Sequence, residues 1–368
     1  MDFVVKKTDL LRELQYVQGV VERKNTVPIL SNLLLETTGN SLVVTATDLD
    51  VSIQCTCLAN VKVSGALTVS ARKLFDIVRL LPDADMHIKT TEREWVQITC
   101  EKSKFRVAGL SKENFPDIPS VNGKGVSLPA QALRHMIARS IFAITQEESR
   151  YALNGALLLI KPNSITIVTT DGHRLALITR NIELSGVDHE TRVLVPKKTL
   201  VELGKLASED VPTLQFENTE NHLFFEVGKR LLVSRILAGQ FPNYEMVIPR
   251  DNNKTIVLKT AEFNDALKRA AIMADEQSRA VRFSIKEGQI DISASYVDVG
   301  EAREIVSANY KGDALEIGFN AQYLLDFLNG LESEEVVFEV RDEETQGLLK
   351  PKNNGDYFYN YVVMPMKL

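Results

Sequence analysis

The chain is poor in several residue types. Three cysteines in 368 residues, Cys55, Cys57 and Cys100, are too few for a disulfide framework. Cys55 and Cys57 alternate within a strand-like run, so they face the same way and read as reduced packing residues. No second His or Cys stands at ligand spacing from any His, which leaves no metal pattern, and no glycine-rich loop of the phosphate-cradling kind is present. No apolar run approaches ~18 residues. The first residues carry Asp2, Lys6, Lys7, Asp9 and Arg12 without an apolar core, so neither a membrane span nor a secretory leader is expected, and the expected compartment is the cytoplasm. Net positive charge is missing too: 43 Lys and Arg against 49 Asp and Glu give −6. A nucleic-acid partner then requires the basic residues to gather on one surface.

What the chain does have is a repeat. Ser70 to Leu81 (SARKLFDIVRLL) returns at Pro196 to Ala207 (PKKTLVELGKLA) and at Asn320 to Leu331 (NAQYLLDFLNGL). Leu74, Leu200 and Leu324 correspond, as do Phe75, Val201 and Leu325, the acids Asp76, Glu202 and Asp326, and then Ile77, Leu203 and Phe327. In each copy a strand-like run ends, a small or polar residue opens a helix, and apolar residues follow at helical spacing. The interval of about 125 residues is longer than a solenoid repeat and matches tandem small domains.

Read in order, the first unit opens with a strand at Phe3 to Val5 and a helix from Thr8, a candidate N-cap. Alternating strands follow at Leu33 to Thr37 and Leu42 to Thr47, across a Thr38-Gly39-Asn40 hairpin, and at Val51 to Cys57. After the signature helix come strands at Met86 to Thr90, Val96 to Cys100 and Phe105 to Val107. The second unit repeats the plan with a helix at Pro129-Ala130 whose apolar face carries Leu133, Ile137 and Ile141. The third has a helix from Ala261 and ends on a strand at Tyr361 to Met364. Phe115-Pro116-Asp117 returns as Phe241-Pro242-Asn243 before the loops at Asn122 to Lys124 and Arg250 to Lys254, which set the expected domains at 1–124, 125–251 and 252–368.

Alternating antiparallel strands need one face covered, and helices with a single apolar stripe supply the cover, so each domain is expected to be α+β. The water-facing sides of these helices are basic in the first two copies: Arg72, Lys73 and Arg79, then Lys197, Lys198 and Lys205, with Arg134, His135 and Arg139 on the helix at Pro129. The third copy has no Lys or Arg. The terminal Val362-Val363-Met364-Pro365-Met366-Lys367-Leu368 joins adaptable methionines to a proline that prevents strand extension, a composition suited to a groove for varied peptides.

With the repeat in hand, the chain resembles the bacterial beta sliding clamp family, the processivity subunits of replicative DNA polymerases. The resemblance runs the whole length and rests on Pro28-Ile29-Leu30 with Asn32-Leu33-Leu34-Leu35, Thr47-Asp48-Leu49, Ala71-Arg72-Lys73, Arg150-Tyr151 with Leu153-Asn154-Gly155, Thr170-Asp171-Gly172-His173-Arg174-Leu175, Phe241-Pro242, Gly318-Phe319-Asn320 and the C-terminal run. It implies a head-to-tail dimeric ring of three similar domains per subunit, the DNA clamp fold, with two helices packed on antiparallel sheets in each domain. It implies no catalysis, no cofactor and no metal. Duplex DNA would be held without sequence preference, and the polymerase, the clamp loader and repair proteins would dock through short apolar motifs. Carried over by position, Lys24, Arg72, Lys73, Tyr151, Lys197 and Lys198 would lie near DNA. The peptide cleft would be lined by Leu153, Thr170, Gly172, His173, Arg174, Leu175, Pro242, Met246, Val247, Asn320, Tyr323 and Val362 through Leu368. Met246 and Glu344 stand where a related clamp has Arg and Val. The dimer interface would set Lys102, Lys104, Phe105 and Val107 against Ile272, Met273, Asp298, Glu301 and Glu304.

Two other classes are weaker. An enzyme built on Asp171-Gly172-His173-Arg174, with Asp48 as its repeat counterpart, would need the first copy to keep the chemistry, yet Leu49-Asp50-Val51 stands there. A protein-only scaffold would not need basic signature helices, which two of the three copies have.

Overall fold

The computed structural model describes residues 1–21, 27–120, 123, 125–145, 147, 149–208 and 210–367. Its six α-helices are α1 (Lys7–Val17), α2 (Ala71–Leu80), α3 (Ala130–Ala138), α4 (Lys197–Leu206), α5 (Thr260–Ala271) and α6 (Ala321–Asn329). The signature stretch is a helix in all three places, α2, α4 and α6. Among the described residues no helix is long and apolar enough to cross a membrane.

The chain packs as two compact units, Met1–Arg134 with Lys198–Ile236, and His135–Lys197 with Leu237–Leu368. Each owns one antiparallel sheet. In the first unit the strand Arg230–Arg235 pairs with Val51–Leu58, from Arg230 opposite Cys55 to Ser234 opposite Val51, so one sheet runs on from the first repeat into the second. In the second unit Tyr357–Val363 pairs with Arg174–Asn181, Val363 opposite Arg174 and Val362 opposite Leu175. The middle repeat thus contributes strands to both sheets, which is why packing divides a three-repeat chain in two.

Burial follows the sequence pattern. On α2, Ala71, Leu74 and Val78 are buried while Arg72, Lys73 and Arg79 are exposed, and Ser70 Oγ accepts from Lys73 N at 3.5 Å as an N-cap. On α6, Asn320 caps in the same way, its Oδ1 accepting from Gln322 N at 2.9 Å. The hairpin at Gly39 forms as expected, with φ +56 at the glycine. Cys55, Cys57 and Cys100 are free and buried, and burial together with nearby Glu13 pushes the Cys57 thiol up to about 12.

Several expectations change. The first helix begins at Lys7, and its N-cap Lys6 makes no side-chain cap, so Thr8 lies inside the helix. α3 stops at Ala138: Ser140 Oγ turns back to the Met136 carbonyl at 2.8 Å, and Ile141–Ala143 form a separate 3-10 turn. A strand at Asn60–Val63, which the alternation does not reveal, pairs with Asp2–Lys6. Of the two boundary loops, Asn122 and Lys124 lie outside the described residues. In the other, Asn252 Nδ2 donates to the Glu339 and Gln346 carbonyls at 2.9 and 3.0 Å just before the strand that opens the third repeat.

Candidate functional site

The richest convergence of expected residues lies in the second unit. Its apolar floor is a buried cluster of Leu157, Leu159, Val168, Leu175, Leu177, Leu194, Phe241, Leu348 and Val362, with Leu153, Tyr244, Val247 and Ile248 half-buried against it. Four of the residues expected to line a cleft, Leu153, Leu175, Val247 and Val362, therefore meet in one packed apolar cluster. Met246 stands 82% exposed beside Val247, and Pro242 is exposed beside Phe241. Met246 also borders a cavity of about 750 Å³ whose lining includes Ile248, Arg341 and Glu344. Val363 does not belong to this surface. It follows Val362 by one strand position, which turns its side chain to the opposite face, and it is fully buried.

One wall is a tight turn. Thr170 Oγ1 accepts from Gly172 N at 3.0 Å, and Asp171 Oδ1 accepts from His173 N at 2.9 Å and Arg174 N at 3.1 Å. Gly172 has φ +90, a left-handed conformation that glycine adopts most readily, and the Arg150 guanidinium tip lies close against it; at the matching position of the first unit Leu49 holds φ +81. Arg150 Nη1 in turn donates to the Asp171 carbonyl at 2.9 Å.

Arg174 joins this turn to its surroundings. Its Nε donates to Asp171 Oδ2 at 3.0 Å, Nη1 to Asp326 Oδ2 at 2.6 Å and Nη2 to the Phe142 carbonyl at 2.7 Å. The guanidinium carbon lies 4.4 Å from the Tyr323 ring centroid. Burial alone would lower this guanidinium, but Tyr361, Asp326 and Asp171 together hold it above its ordinary value. The side chain is only 9% exposed. Arg174 is therefore an internal fastener of this turn, whereas His173 is exposed and its ring lies 6.5 Å from that of Tyr323.

The C-terminal run lies against the same turn. The last strand stops at Val363, Met364 N donates to the His173 carbonyl at 2.9 Å, and Met366 N donates to the Gly318 carbonyl at 2.8 Å. Pro365 between them has no N–H to give a ladder, and Met364 is 39% exposed. Lys367 is exposed, and Leu368 lies outside the described residues. Asn320, two residues beyond Gly318, caps α6 and donates to the Ser278 carbonyl at 3.1 Å. Sequence reasoning missed Arg150, Tyr244 and Asp326 as parts of this site. Arg150 and Asp326 were visible only within matched motifs, where nothing specified their contacts.

The residues expected near DNA divide. Arg72 and Lys73 are exposed in the first unit, and Tyr151 is 71% exposed in the second. Lys197 is half-buried, and burial, aided by the Arg174 charge, lowers its ammonium pKa. Lys198 is partly engaged within its own unit: its Nζ is paired with Asp48 Oδ2 and donates to the Val20 carbonyl at 3.0 Å. Lys24 lies outside the described residues. Of the basic residues expected on α3 and just after it, Arg134 alone is exposed. His135 stacks on Tyr357 at 4.1 Å, and Arg139 is buried and paired with Glu332 at 3.0 Å.

Two strands inside the sheets are largely unpaired along one side. Ser103–Leu110 pairs along its length with Trp95–Cys100 but meets Ala66–Ser70 only at Gly109 and Leu110. Gly300–Asn309 pairs with Gln289–Tyr296 but meets Lys254–Lys259 only at Ala308 and Asn309. Lys102, Lys104 and Phe105 are exposed by the first edge, with Val107 half-buried; Ile272, Asp298 and Glu301 are exposed in the other unit, where Met273 is half-buried. Glu304 already forms a bidentate pair with Arg269 of its own chain, at 3.0 and 2.7 Å.

Among the described residues no group of three or more His, Cys, Asp or Glu could hold a metal ion. Profiles of the DNA polymerase III beta subunit match nearly the whole chain: its N-terminal domain over residues 1–119, its central domain over 127–243 and its C-terminal domain over 245–367. The chain belongs to the DNA polymerase III beta subunit family. Members of this family are beta sliding clamps, non-catalytic subunits that tether the polymerase and confer processivity. The beta sliding clamp of Pseudomonas putida is 37% identical over 371 residues, with all of both chains covered. That of Chlamydia muridarum is 34% identical over 369 residues, covering 100% of this chain and 99% of the relative. Among solved structures, the Pseudomonas aeruginosa sliding clamp matches with a TM-score of 0.93 at 35% identity, and the Pseudomonas aeruginosa clamp bound to griselimycin with 0.94 at 35%, each covering 100% of both chains.

Proposed function

We propose that this beta sliding clamp captures its partners in the second unit, through the surface formed by Leu153, Leu175, Val247 and Val362 between the Thr170–Arg174 turn and the Met364–Met366 run. The observation that carries the reading is the way the C-terminal run is held. The backbone of Met364 is tied to His173 and that of Met366 to Gly318, which fixes the run directly after Val362, itself part of the apolar cluster; the two flexible thioethers would then flank a preformed apolar floor. Such a surface accepts the apolar anchors of short motifs with little ordering cost. Occupants would be segments of the replicative polymerase, the clamp loader, other polymerases and repair proteins, and griselimycin would bind in the same place. Replacing Met364 and Met366 together with Ala is expected to weaken griselimycin binding at least tenfold, measured by calorimetry, with the thermal midpoint unchanged. Unaltered affinity would remove the assignment.

The same reading makes the protein a cytoplasmic homodimer closed head to tail around duplex DNA. The unpaired sides of Ser103–Leu110 and Gly300–Asn309 would pair between copies, with Lys102 and Lys104 facing Asp298 and Glu301, and Phe105 and Val107 facing Ile272 and Met273. DNA would be followed by Arg72, Lys73, Tyr151 and Lys197 through phosphate attraction alone, since nothing in this set reads base edges. Domains at 1–124, 125–251 and 252–368 remain the natural division of such a subunit. Solution mass tests the dimer directly.

A further inference from the structure

We propose that Asp326, which lies outside the expected cleft lining, is the positioning residue that fixes the cleft, by locking Arg174 between the Thr170–Arg174 turn and α6. This rests on the cleft reading above. Three observations support it.

The first is the geometry of the fork. Arg174 uses three nitrogens on three separate elements: the turn through Asp171, α6 through Asp326 and the 3-10 turn through the Phe142 carbonyl. A planar guanidinium satisfied in this way has one orientation. That orientation places it over Tyr323, whose carbonyl also accepts from Tyr361 Oη at 2.8 Å. Asp326 is held ready, because Gln322 Nε2 donates to its other oxygen at 2.7 Å from one turn earlier on α6.

The second is what the repeat counterparts do. Asp76 lies on the surface and reaches only Arg72 and Arg79 of its own helix, at 3.9 and 3.6 Å. Glu202 is buried but pairs with Lys205 of its own helix at 2.8 Å. Among the described residues, Asp326 alone of the three matched acids pairs with a base outside its helix.

The third is that the turn does not need this pair in order to form. In the first unit Thr47 Oγ1 accepts from Leu49 N at 3.0 Å, and Asp48 Oδ1 accepts from Asp50 N and Val51 N at 2.9 and 2.7 Å. That is the same turn, with Val51 where Arg174 stands. The tie to the neighbouring signature helix is inverted in charge: acid on the turn and base on the helix for Asp48 and Lys198, base on the turn and acid on the helix for Arg174 and Asp326. The inversion leaves α6 with a carboxylate aimed at the cleft wall, and the Arg174–Asp326 pair exists only where the apolar floor and the methionine run are present.

The test uses the full chain and griselimycin as probe. Asp326→Ala is expected to weaken griselimycin at least tenfold, and Asp326→Glu to restore binding to within about threefold of the parent. In a double-mutant cycle with Arg174→Gln, the combined loss is expected to fall at least fivefold short of the product of the single losses, because both substitutions remove the Arg174–Asp326 tie. Asp326→Asn, which keeps the shape, serves if the alanine variant lowers the thermal midpoint, and it should weaken binding in the same direction. Parental affinity in a folded Asp326→Ala or Asp326→Asn variant, or additive losses in the cycle, would overturn the proposal. If griselimycin bound the parent and Met364→Ala/Met366→Ala proteins equally, the cleft reading would fail instead.

Discussion

Lys198 and Asp48 form an internal ion pair, with Asp48 only 7% exposed and the Lys198 ammonium also bonded to the Val20 carbonyl. A lysine on a signature helix thereby acts as a fastener within the first unit. Arg72, one repeat earlier at the matching helix position, has its side chain 90% exposed. The two residues should therefore separate experimentally. Lys198→Ala is expected to cost about 2 kcal/mol by leaving Asp48 without its cation, with little change in DNA affinity. Arg72→Ala should leave stability unchanged and reduce the salt dependence of DNA binding by about one unit of slope. Urea midpoints and binding isotherms at several salt concentrations measure both.

Arg230 and Glu13 make a stronger tie in the same unit. Nε and Nη2 donate to the two carboxylate oxygens at 2.6 and 2.8 Å, and the guanidinium lies 4.2 Å from the Tyr16 ring centroid. Both side chains are largely buried, at 15% and 4% exposure. Removing either partner strands a charge, so Glu13→Gln or Arg230→Met is expected to cost about 3–5 kcal/mol. The double variant Glu13→Leu/Arg230→Met should lose less than either single variant. Chemical unfolding of the four proteins decides it.

His135 predicts a pH dependence. Burial, followed by the charge of Arg139, lowers its pKa to about 4, and its buried Nδ1 has no hydrogen-bond partner. The unfolded imidazole titrates near 6.5. Between those values the unfolded chain binds a proton that the folded chain does not, so this residue's contribution to stability falls as pH drops from about 6.5 towards 4. His135→Phe keeps a ring on Tyr357 and removes the titration. The variant's thermal midpoint should therefore fall less than the parent's between pH 7 and pH 4.5.

Much of this was legible in the sequence because periodic patterns report local structure well. The three signature helices, the hairpin at Gly39 and the apolar faces of α2 and α6 follow from residue spacing alone. The partners of individual charges did not. Nothing in PKKTL distinguishes Lys198, bound to Asp48, from a solvated lysine, because that contact joins residues 150 positions apart. Arg139 and His135 looked like part of an exposed basic face, yet Arg139 follows the end of α3 and is buried against Glu332, and His135, inside α3, is covered by Tyr357. Asp326 was aligned correctly with Asp76 and Glu202, yet equivalence in the repeat concealed three different environments. The stretches that would form the cleft were legible as motifs, but which of their residues pair internally, Arg174 with Asp326 above all, needed three-dimensional placement.

The central claim is that the protein holds DNA by enclosing it. The most direct measurement loads the protein on nicked circular duplex DNA with a clamp loader, removes free protein, and follows what remains bound before and after a single cut makes the circle linear. Enclosure predicts retention on the circle and rapid loss once ends exist, at salt concentrations that abolish simple phosphate binding. Equal retention on circular and linear DNA would contradict it.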